Sequence, residues 1–182
     1  ALVVRHPVTD RYIPWMATEW SVQDDHKTVY YKLNPEARWS DGQPITADDY
    51  VFTYQMMSSK DIVDPFYNNY AQTYYASVEA IDPHTLKIVG KQPSWRPLDD
   101  YGLFPTPRHA TKLGPNWVQE ANNTFQVTAG PYVVTQAETG KRVVFEKVKN
   151  WWGENKGYFK GMYNVDRVVI RVIPEERVFD YF

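Results

Sequence analysis

The sequence predicts an α+β fold, because three β-hairpin patterns occur with few helix patterns and without regular strand–helix alternation. Each hairpin pattern has two arms rich in Val, Ile, Tyr or Thr, joined by a four-residue turn of polar, Pro or Gly residues. The predicted turns are residues 24–27, 82–85 and 138–141, and a further strand is predicted at residues 165–173. The opening residues, ALVVRH, also have the composition of a strand.

One predicted helix has a well-marked beginning, in the stretch ITADDYVFTYQMM. Thr46 is placed to cap it, Asp49 follows as the acid of a capping box, and Asp48 lies near the positive end of the helix dipole. Residues at helical spacing then predict a buried face: Tyr50, Val51, Tyr54 and Met57. Weaker helix patterns occur at residues 68–76 and 115–123.

The middle and the end of the chain have different character. Residues 90–130 are rich in Pro, Asn and Gly, and we predict an extended crossing between the first two hairpins and the third. The final stretch, IPEERVFDYF, has the features of a helix beginning at Pro174. Because an isolated helix needs ~12–15 residues to be even marginally stable, we expect this chain to be a piece of a longer protein.

Composition excludes several kinds of function. The net charge of −2 gives no electrostatic basis for a nucleic-acid partner, and no apolar run approaches the ~20 residues of a membrane helix. Without cysteine there is no disulfide, thiolate metal site or cysteine nucleophile. The four histidines lack metal-site spacing, and a G-x-S-x-G motif is absent, so we predict no metal, no cofactor and no hydrolase triad.

The stretch ARWSDGQPITADDYVFTYQ, residues 37–55, places acids among aromatic residues and therefore raises the question of sugar chemistry. A glycosidase needs two carboxyl groups facing each other ~5–10 Å apart. Local structure explains the same acids, however. Asp41 precedes Gly42 in a turn, where its side chain can accept from nearby backbone, and Asp48 and Asp49 belong to a first helical turn. We favour the structural interpretation.

Two further motifs are weak on their own. In TAGPYVV, residues 128–134, Gly130 permits close backbone approach or a positive φ. In NWWG, the adjacent Trp151 and Trp152 could stack on a ligand or close the edge of a core. We favour the core.

Taken in order, four stretches resemble one family across nearly the whole chain: LNPEARWSDGQPITADDYVFTYQMM, AIDPHTLKIV, LFPTPRHA and TAGPYVVTQAETGKRVVFEKVKNWWG. The family is that of the extracellular solute-binding proteins of peptide ABC transporters (family 5, which includes dipeptide, oligopeptide and nickel binders). DPFYNNYAQTYYASVEAIDPHT is most similar to the oligopeptide and microcin C binding branch. Two departures are Trp151, where Tyr is usual, and Ala129, where the family often has a second Gly or a small hydroxyl residue.

The resemblance implies the first lobe of a two-lobed type II periplasmic-binding-protein fold, with a mixed sheet, β-hairpins and an inserted subdomain. Residues 1–20 would enter from the lobe, and residues 21–100 would form the subdomain. Residues 101–173 would return to the lobe with the GPY hairpin, and residues 174–182 would begin the hinge or second lobe. The second lobe itself would be missing.

The resemblance also implies a function without catalysis. The protein would be the substrate-binding component of an ABC importer, a monomer in the periplasm or at the extracellular cell surface. It would close around a peptide or peptide-like solute by hinge bending and present it to the membrane permease. The alternative is a carbohydrate-active enzyme or carbohydrate-binding module that uses the aromatic and acidic residues.

By matching position, Tyr70 in PFYNNY resembles a cleft-facing tyrosine of the peptide binders. The complete set of ligand-binding residues expected from the resemblance is Phe66, Asn69, Tyr70, Trp95, Gly130, Pro131 and Tyr132. The last three would contact ligand mainly through backbone. Packing within the scaffold is the alternative role of each.

Overall fold

The computed structural model describes residues 1–62, 65–121, 124, 126–174 and 176–177. Its strands form three sheets, of two, four and three strands. Every strand pairing in this part of the chain is antiparallel, so the mixed sheet expected from the resemblance is not formed within it. None of the helices built by the described residues is long and apolar enough to cross a membrane.

The two-stranded sheet pairs β1 (Val3–Arg5) with β2 (Tyr12–Pro14). Arg5 anchors it, because its guanidinium donates to Asp10 and, at 2.8 Å, to the Asp99 carboxylate. Asp99 belongs to the short helix α3 (Pro97–Asp100), which is far away in sequence. Arg5 therefore joins the beginning of the chain to its middle.

The four-stranded sheet contains the first two predicted hairpins, in the order β3-β4-β6-β5. The strands are β3 (Ala17–Val22), β4 (Thr28–Leu33), β5 (Tyr75–Asp82) and β6 (Thr85–Gly90). Alternate residues of the central strands are buried, as a sheet with one face on the core requires. They are Val29, Tyr31 and Leu33 on β4, and Leu86, Ile88 and Gly90 on β6.

Two helices accompany this sheet, α1 (Ala47–Met57) and α2 (Pro65–Tyr74). Thr46 and Asp49 form the predicted capping box at the beginning of α1. The predicted buried face is partly wrong. The buried residues of α1 include the polar Asp49 and Thr53, while Val51 and Tyr54, which were predicted to be buried, are only half-buried. Asp49 and Thr53 can be buried because both have hydrogen-bond partners inside the fold.

The three-stranded sheet contains the third predicted hairpin and the predicted last strand. Its strands are β7 (Tyr132–Glu138), β8 (Arg142–Lys147) and β9 (Arg167–Arg171), and Gly140 adopts the positive φ of the hairpin turn. The described residues of the preceding crossing form no strand between β6 and β7, but they include turns, α3 and a second short helix, α4 (Trp117–Ala121). A 3-10 helix follows β8 at Gly157–Phe159.

Three predictions about organisation are not settled by these elements. Most of the helix predicted from Pro174, including residues 178–182, falls outside the described residues. The same holds for Asn122 and Asn123 at the end of the predicted helix 115–123. The division of the chain at residues 20, 100 and 173 stays a prediction.

Candidate functional site

The turn that begins the acidic stretch is closed by local bonds. Gly42 has a φ of +87°, and its N–H donates to the Trp39 carbonyl at 2.9 Å. The Asp41 carboxylate accepts from the Gln43 N–H at 3.1 Å, which confirms the predicted turn role. Its other oxygen lies 2.7 Å from His109 Nε2, a partner that the sequence did not indicate.

Asp49 connects three segments of the protein. Its side chain is buried, and its carboxylate accepts hydrogen bonds from the Trp39 indole N–H at 3.3 Å and from the Thr46 N–H at 3.0 Å. The Arg108 backbone N–H, in the crossing, donates to the second oxygen at 3.1 Å. With Asp41 also bonded within the fold, both carboxylates are engaged in structure. This favours the structural interpretation of the acidic stretch.

The bond between Asp41 and His109 predicts a small pH-dependent contribution to stability. Burial raises the pKa of the Asp41 carboxyl, but hydrogen bonds from His109 and the Gln43 N–H outweigh burial and bring that pKa below its ordinary value. A carboxyl with a lowered folded-state pKa stabilises the fold above its unfolded pKa of ~3.9, and this stabilisation disappears as pH falls through the folded pKa.

We therefore expect Asp41→Asn to lower the free energy of unfolding at pH 7 by less than about 1 kcal/mol, since both side chains are about one-third exposed and screened by solvent. The difference from wild type should shrink as pH falls below the unfolded pKa of ~3.9 and through the lower folded pKa. Urea unfolding at pH 7, 5 and 3 measures it, with the exposed Asp48→Asn as the matched control. A difference that stayed constant with pH would contradict this account of the pair.

A cavity of about 470 Å³ lies between α1, α2 and residues 102–106, and is called the Tyr70 cavity below. Met56, Met57 and Ile62 supply aliphatic surface. Six further lining residues are aromatic: Phe66, Tyr67, Tyr70, Tyr75, Phe104 and Trp117. None of the described residues that line it is charged. Its volume lies within the ~300–1,000 Å³ of small-ligand sites.

Two of the three tyrosine hydroxyls in this wall, those of Tyr70 and Tyr75, already donate to backbone. Tyr75 donates to the Gly102 carbonyl at 2.7 Å, and Tyr70 donates to the Asp100 carbonyl over a longer 3.4 Å. Burial raises the pKa of both phenols, so both stay neutral at physiological pH. Tyr70 thus offers a ligand its ring more readily than its hydroxyl.

The Trp117 indole N–H and the Thr53 and Thr106 hydroxyls of the wall are also paired. The Trp117 indole N–H donates to the Asp61 carbonyl at 2.8 Å. The Thr53 hydroxyl donates to the Asp49 carbonyl at 3.0 Å and lies 2.9 Å from the Thr106 hydroxyl. The cavity consequently offers apolar surface with few hydrogen-bonding groups left over.

A second cavity, of about 360 Å³, adjoins the first and is called the Gly130 cavity below. Three tryptophans line it together with Gly130: Trp15, Trp39 and Trp151. Phe104 and Thr106 line both cavities, so the crossing segment forms the wall they share.

Much of the backbone around Gly130 is used by the protein itself. The Gly130 N–H donates to the Thr128 hydroxyl at 3.1 Å, and the Pro131 carbonyl accepts from the Val148 N–H at 2.8 Å. Gly130 does not adopt the positive φ that the sequence allowed, and a Cβ there would make only an ordinary 3.5 Å contact with Thr128. Ligand contact through this backbone stays a prediction, with fewer groups available than expected.

Of the double tryptophan, Trp151 belongs to the core, as predicted, and Trp152 is half-buried and packs against it. The indole N–H groups of Trp151 and Trp152 both donate to the Ala129 carbonyl, at 3.0 and 3.1 Å. Trp151 is buried, and its ring centroid lies 4.8 Å from that of Phe159. These rings fix the entry to β7.

Other expected ligand residues lie outside the two cavities. Asn69 is exposed on α2, with its side-chain oxygen 3.5 Å from the Thr73 hydroxyl. Trp95 is 84% exposed, and the Arg96 guanidinium stacks on its ring at 4.4 Å. Tyr132 donates instead to the Val165 carbonyl at 2.7 Å.

The structure thus brings Phe66 and Tyr70 into one cavity and places Gly130 in its neighbour. Sequence reasoning missed Met56, Phe104 and Trp117, which line the Tyr70 cavity. The available indication was the apolar composition of LFPTPRHA and of the short helix around the tryptophan, but neither pattern distinguishes a cavity wall from ordinary packing.

Comparison with known proteins identifies the family. Residues 11–179 match the family described as bacterial extracellular solute-binding proteins, family 5 Middle. The chain belongs to this family. It is similar to a binding protein of Brucella melitensis, with 31% identity over 88% of this chain and 26% of the relative. The periplasmic oligopeptide-binding protein OppA of Salmonella typhimurium is 26% identical over 79% of this chain and 29% of its own length.

A solved structure gives the same answer for the fold. The periplasmic oligopeptide-binding protein of an oligopeptide ABC transporter from Thermotoga maritima, with mannohexaose bound, aligns with a TM-score of 0.75 at 26% identity. The alignment covers 99% of this chain and 33% of that protein. The predicted family and the α+β fold of type II periplasmic binding proteins are confirmed. The chain spans about a quarter to a third of the length of these three proteins.

Proposed function

We propose that this chain forms part of the substrate-binding component of an ABC importer, which takes peptides or peptide-like solutes and delivers them to a membrane permease. Membership of the solute-binding family supports this proposal. The observation that carries it is the Tyr70 cavity, an aromatic-lined space of ligand size that adjoins a second cavity. Such apolar pockets with few polar groups are the usual form of small-ligand sites.

The proposed mechanism requires binding and closure without a chemical step. The two cavities would contribute one face of a cleft, and hinge closure would complete it. The Asp41 and Asp49 carboxylates are occupied by protein donors, so the proposal assigns them to structure and assigns no enzymatic activity. A periplasmic or extracellular location, in keeping with the family description, completes the proposal together with a monomeric state, which the resemblance alone implies.

An oligosaccharide is the second candidate ligand. The relative from Thermotoga maritima is described with mannohexaose bound. In this chain, Tyr70 and Tyr74 bring their ring centroids within 4.5 Å, and aromatic surface of this kind also suits sugars. A carbohydrate-active enzyme is less well supported, because it needs a free pair of carboxyl groups.

Native mass spectrometry of the full-length protein, purified without added ligand, tests the proposal. We expect a bound mass in the range of a short peptide, which is released on denaturation and fragments as amino acids. A released mass that fragments as hexoses would support the oligosaccharide instead. A protein that carries no ligand and binds nothing from a peptide pool would refute the peptide assignment.

Truncating Tyr70 should weaken ligand binding through loss of ring contact. We expect Tyr70→Ala to raise the Kd for the bound peptide by at least about tenfold, since burying an aromatic ring is worth roughly 1.5–3 kcal/mol and about 1.4 kcal/mol corresponds to tenfold. Tyr70→Phe should stay within about twofold of wild type, because the long bond from the hydroxyl to Asp100 contributes little. Isothermal titration calorimetry measures both. Equal losses in the two variants would assign the effect to the hydroxyl and contradict the ring contact.

A further inference from the structure

The Tyr70 cavity has the properties of a surface that discriminates by charge. Its described lining residues carry no formal charge, and the hydroxyls of Tyr70, Tyr75 and Thr53 and the Trp117 indole N–H are already bonded within the protein. A charged group that entered would lose its water and find no counter-ion among the described lining residues, and few of their polar groups are free. An apolar group would lose nothing comparable, and its burial would be favourable.

The wall is also adaptable in shape. Met56 and Met57 contribute unbranched, polarisable side chains from α1. Such side chains repack around differently shaped apolar groups. Phe66 and Phe104 are 63% and 67% exposed and stand at the open side. The cavity therefore suits a class of apolar groups more than one particular side chain.

We infer that the Tyr70 cavity is a selectivity pocket, which takes an uncharged aromatic or aliphatic side chain of the peptide ligand and rejects charged ones. This inference rests on the proposed peptide-binding function. Because Phe104 and Thr106 line both cavities, the peptide main chain would follow their shared wall toward Gly130. Phe104, which is not among the residues expected from the resemblance, thereby becomes a specificity residue.

A peptide panel on the full-length protein tests the pocket. The probes are tripeptides of Ala in which each position in turn carries Phe, Leu, Asp or Lys, with trialanine as the reference. We expect Phe or Leu at one position to bind at least about tenfold more tightly than Ala, and Asp or Lys at that position to bind no more tightly than Ala. Isothermal titration calorimetry gives each Kd.

A carboxylate placed in the wall should weaken the preference for apolar side chains. Met56→Asp is expected to reduce the preference for Phe over Ala about tenfold and to improve binding of the Lys peptide. The matched control is Gln55→Asp, which adds the same charge at the exposed neighbouring position of α1, outside the described lining. It should leave the order of the peptides unchanged.

The outcomes separate the two proposals. If wild type binds no peptide of any kind, the proposed function fails. If it binds peptides without apolar preference, or if folded Met56→Asp keeps that preference, the pocket is refuted while the function stands. Should circular dichroism show that Met56→Asp is unfolded, Phe66→Ala replaces it, because this ring is mostly exposed. A several-fold loss of preference for Phe is expected there, and an unchanged preference refutes the pocket.

Discussion

Replacing Asp49 with Ala should lower the free energy of unfolding by about 2–4 kcal/mol, although the residue contributes almost no apolar surface. Asp49 is only 5% exposed, and its carboxylate accepts hydrogen bonds from Trp39, Thr46 and Arg108. Its loss would leave the buried Trp39 indole N–H without a partner, which costs roughly 1–3 kcal/mol, whereas the part-buried Thr46 and Arg108 N–H groups can bond to water instead. The loss of the capping box adds about 1 kcal/mol at the upper end of the range.

Asp48→Ala is the matched control, because it removes the same charge from the adjacent, exposed position of α1. It should change stability by no more than about 0.5 kcal/mol. Urea unfolding of the full-length protein at pH 7 measures both variants. If Asp49→Ala kept wild-type stability but abolished hydrolysis of a glycan, Asp49 would be catalytic, and the proposed binding function would be wrong.

Asp49 also illustrates what sequence reasoning can reach. The capping box was predictable, since Thr46 and Asp49 are three residues apart and the geometry of a helix start is local. The bonds to Trp39 and to Arg108 were not, because the second spans 59 residues and depends on how the crossing packs. The capping-box bond of Asp49 identifies the beginning of the helix, and its bonds to Trp39 and Arg108 explain why the Asp49 side chain is buried.

The same difference between local and long-range contacts explains why the hairpins could be predicted and the candidate site could not. All three hairpins were predictable, because strand alternation and turn residues lie within one short window. The Tyr70 cavity combines Met56, Tyr70, Phe104 and Trp117 from four separate segments. Family resemblance supplied Tyr70, but no local pattern indicates that Trp117 reaches the same wall.

Gly90→Ala is expected to destabilise the protein by about 3 kcal/mol, a large effect for one added methyl group. Gly90 is buried at the end of β6, and a Cβ there would lie 2.1–2.5 Å from three atoms of the Tyr101 ring. Tyr101 cannot easily yield, because it is only 3% exposed and its hydroxyl donates to the Gln92 carbonyl. Overpacking of this kind typically costs 1–3 kcal/mol, and a direct clash lies at the upper end.

A comparison with a second glycine isolates the clash from the general effect of removing glycine. At Gly114 an added Cβ would meet no atom within 4 Å and the backbone does not use a positive φ, so Gly114→Ala should be neutral or slightly stabilising.

In a Tyr101→Ala background the cost of Gly90→Ala should largely disappear, because the obstructing ring is gone, and a double-mutant cycle would then show strong coupling. Thermal and urea unfolding of the four proteins measures the cycle. If the stability losses of Gly90→Ala and Tyr101→Ala simply added in the double variant, the Tyr101 ring would not be the source of the clash at residue 90. Since Tyr101 precedes Gly102, the acceptor of the Tyr75 hydroxyl, displacing its ring should also disturb the wall of the Tyr70 cavity and weaken ligand binding.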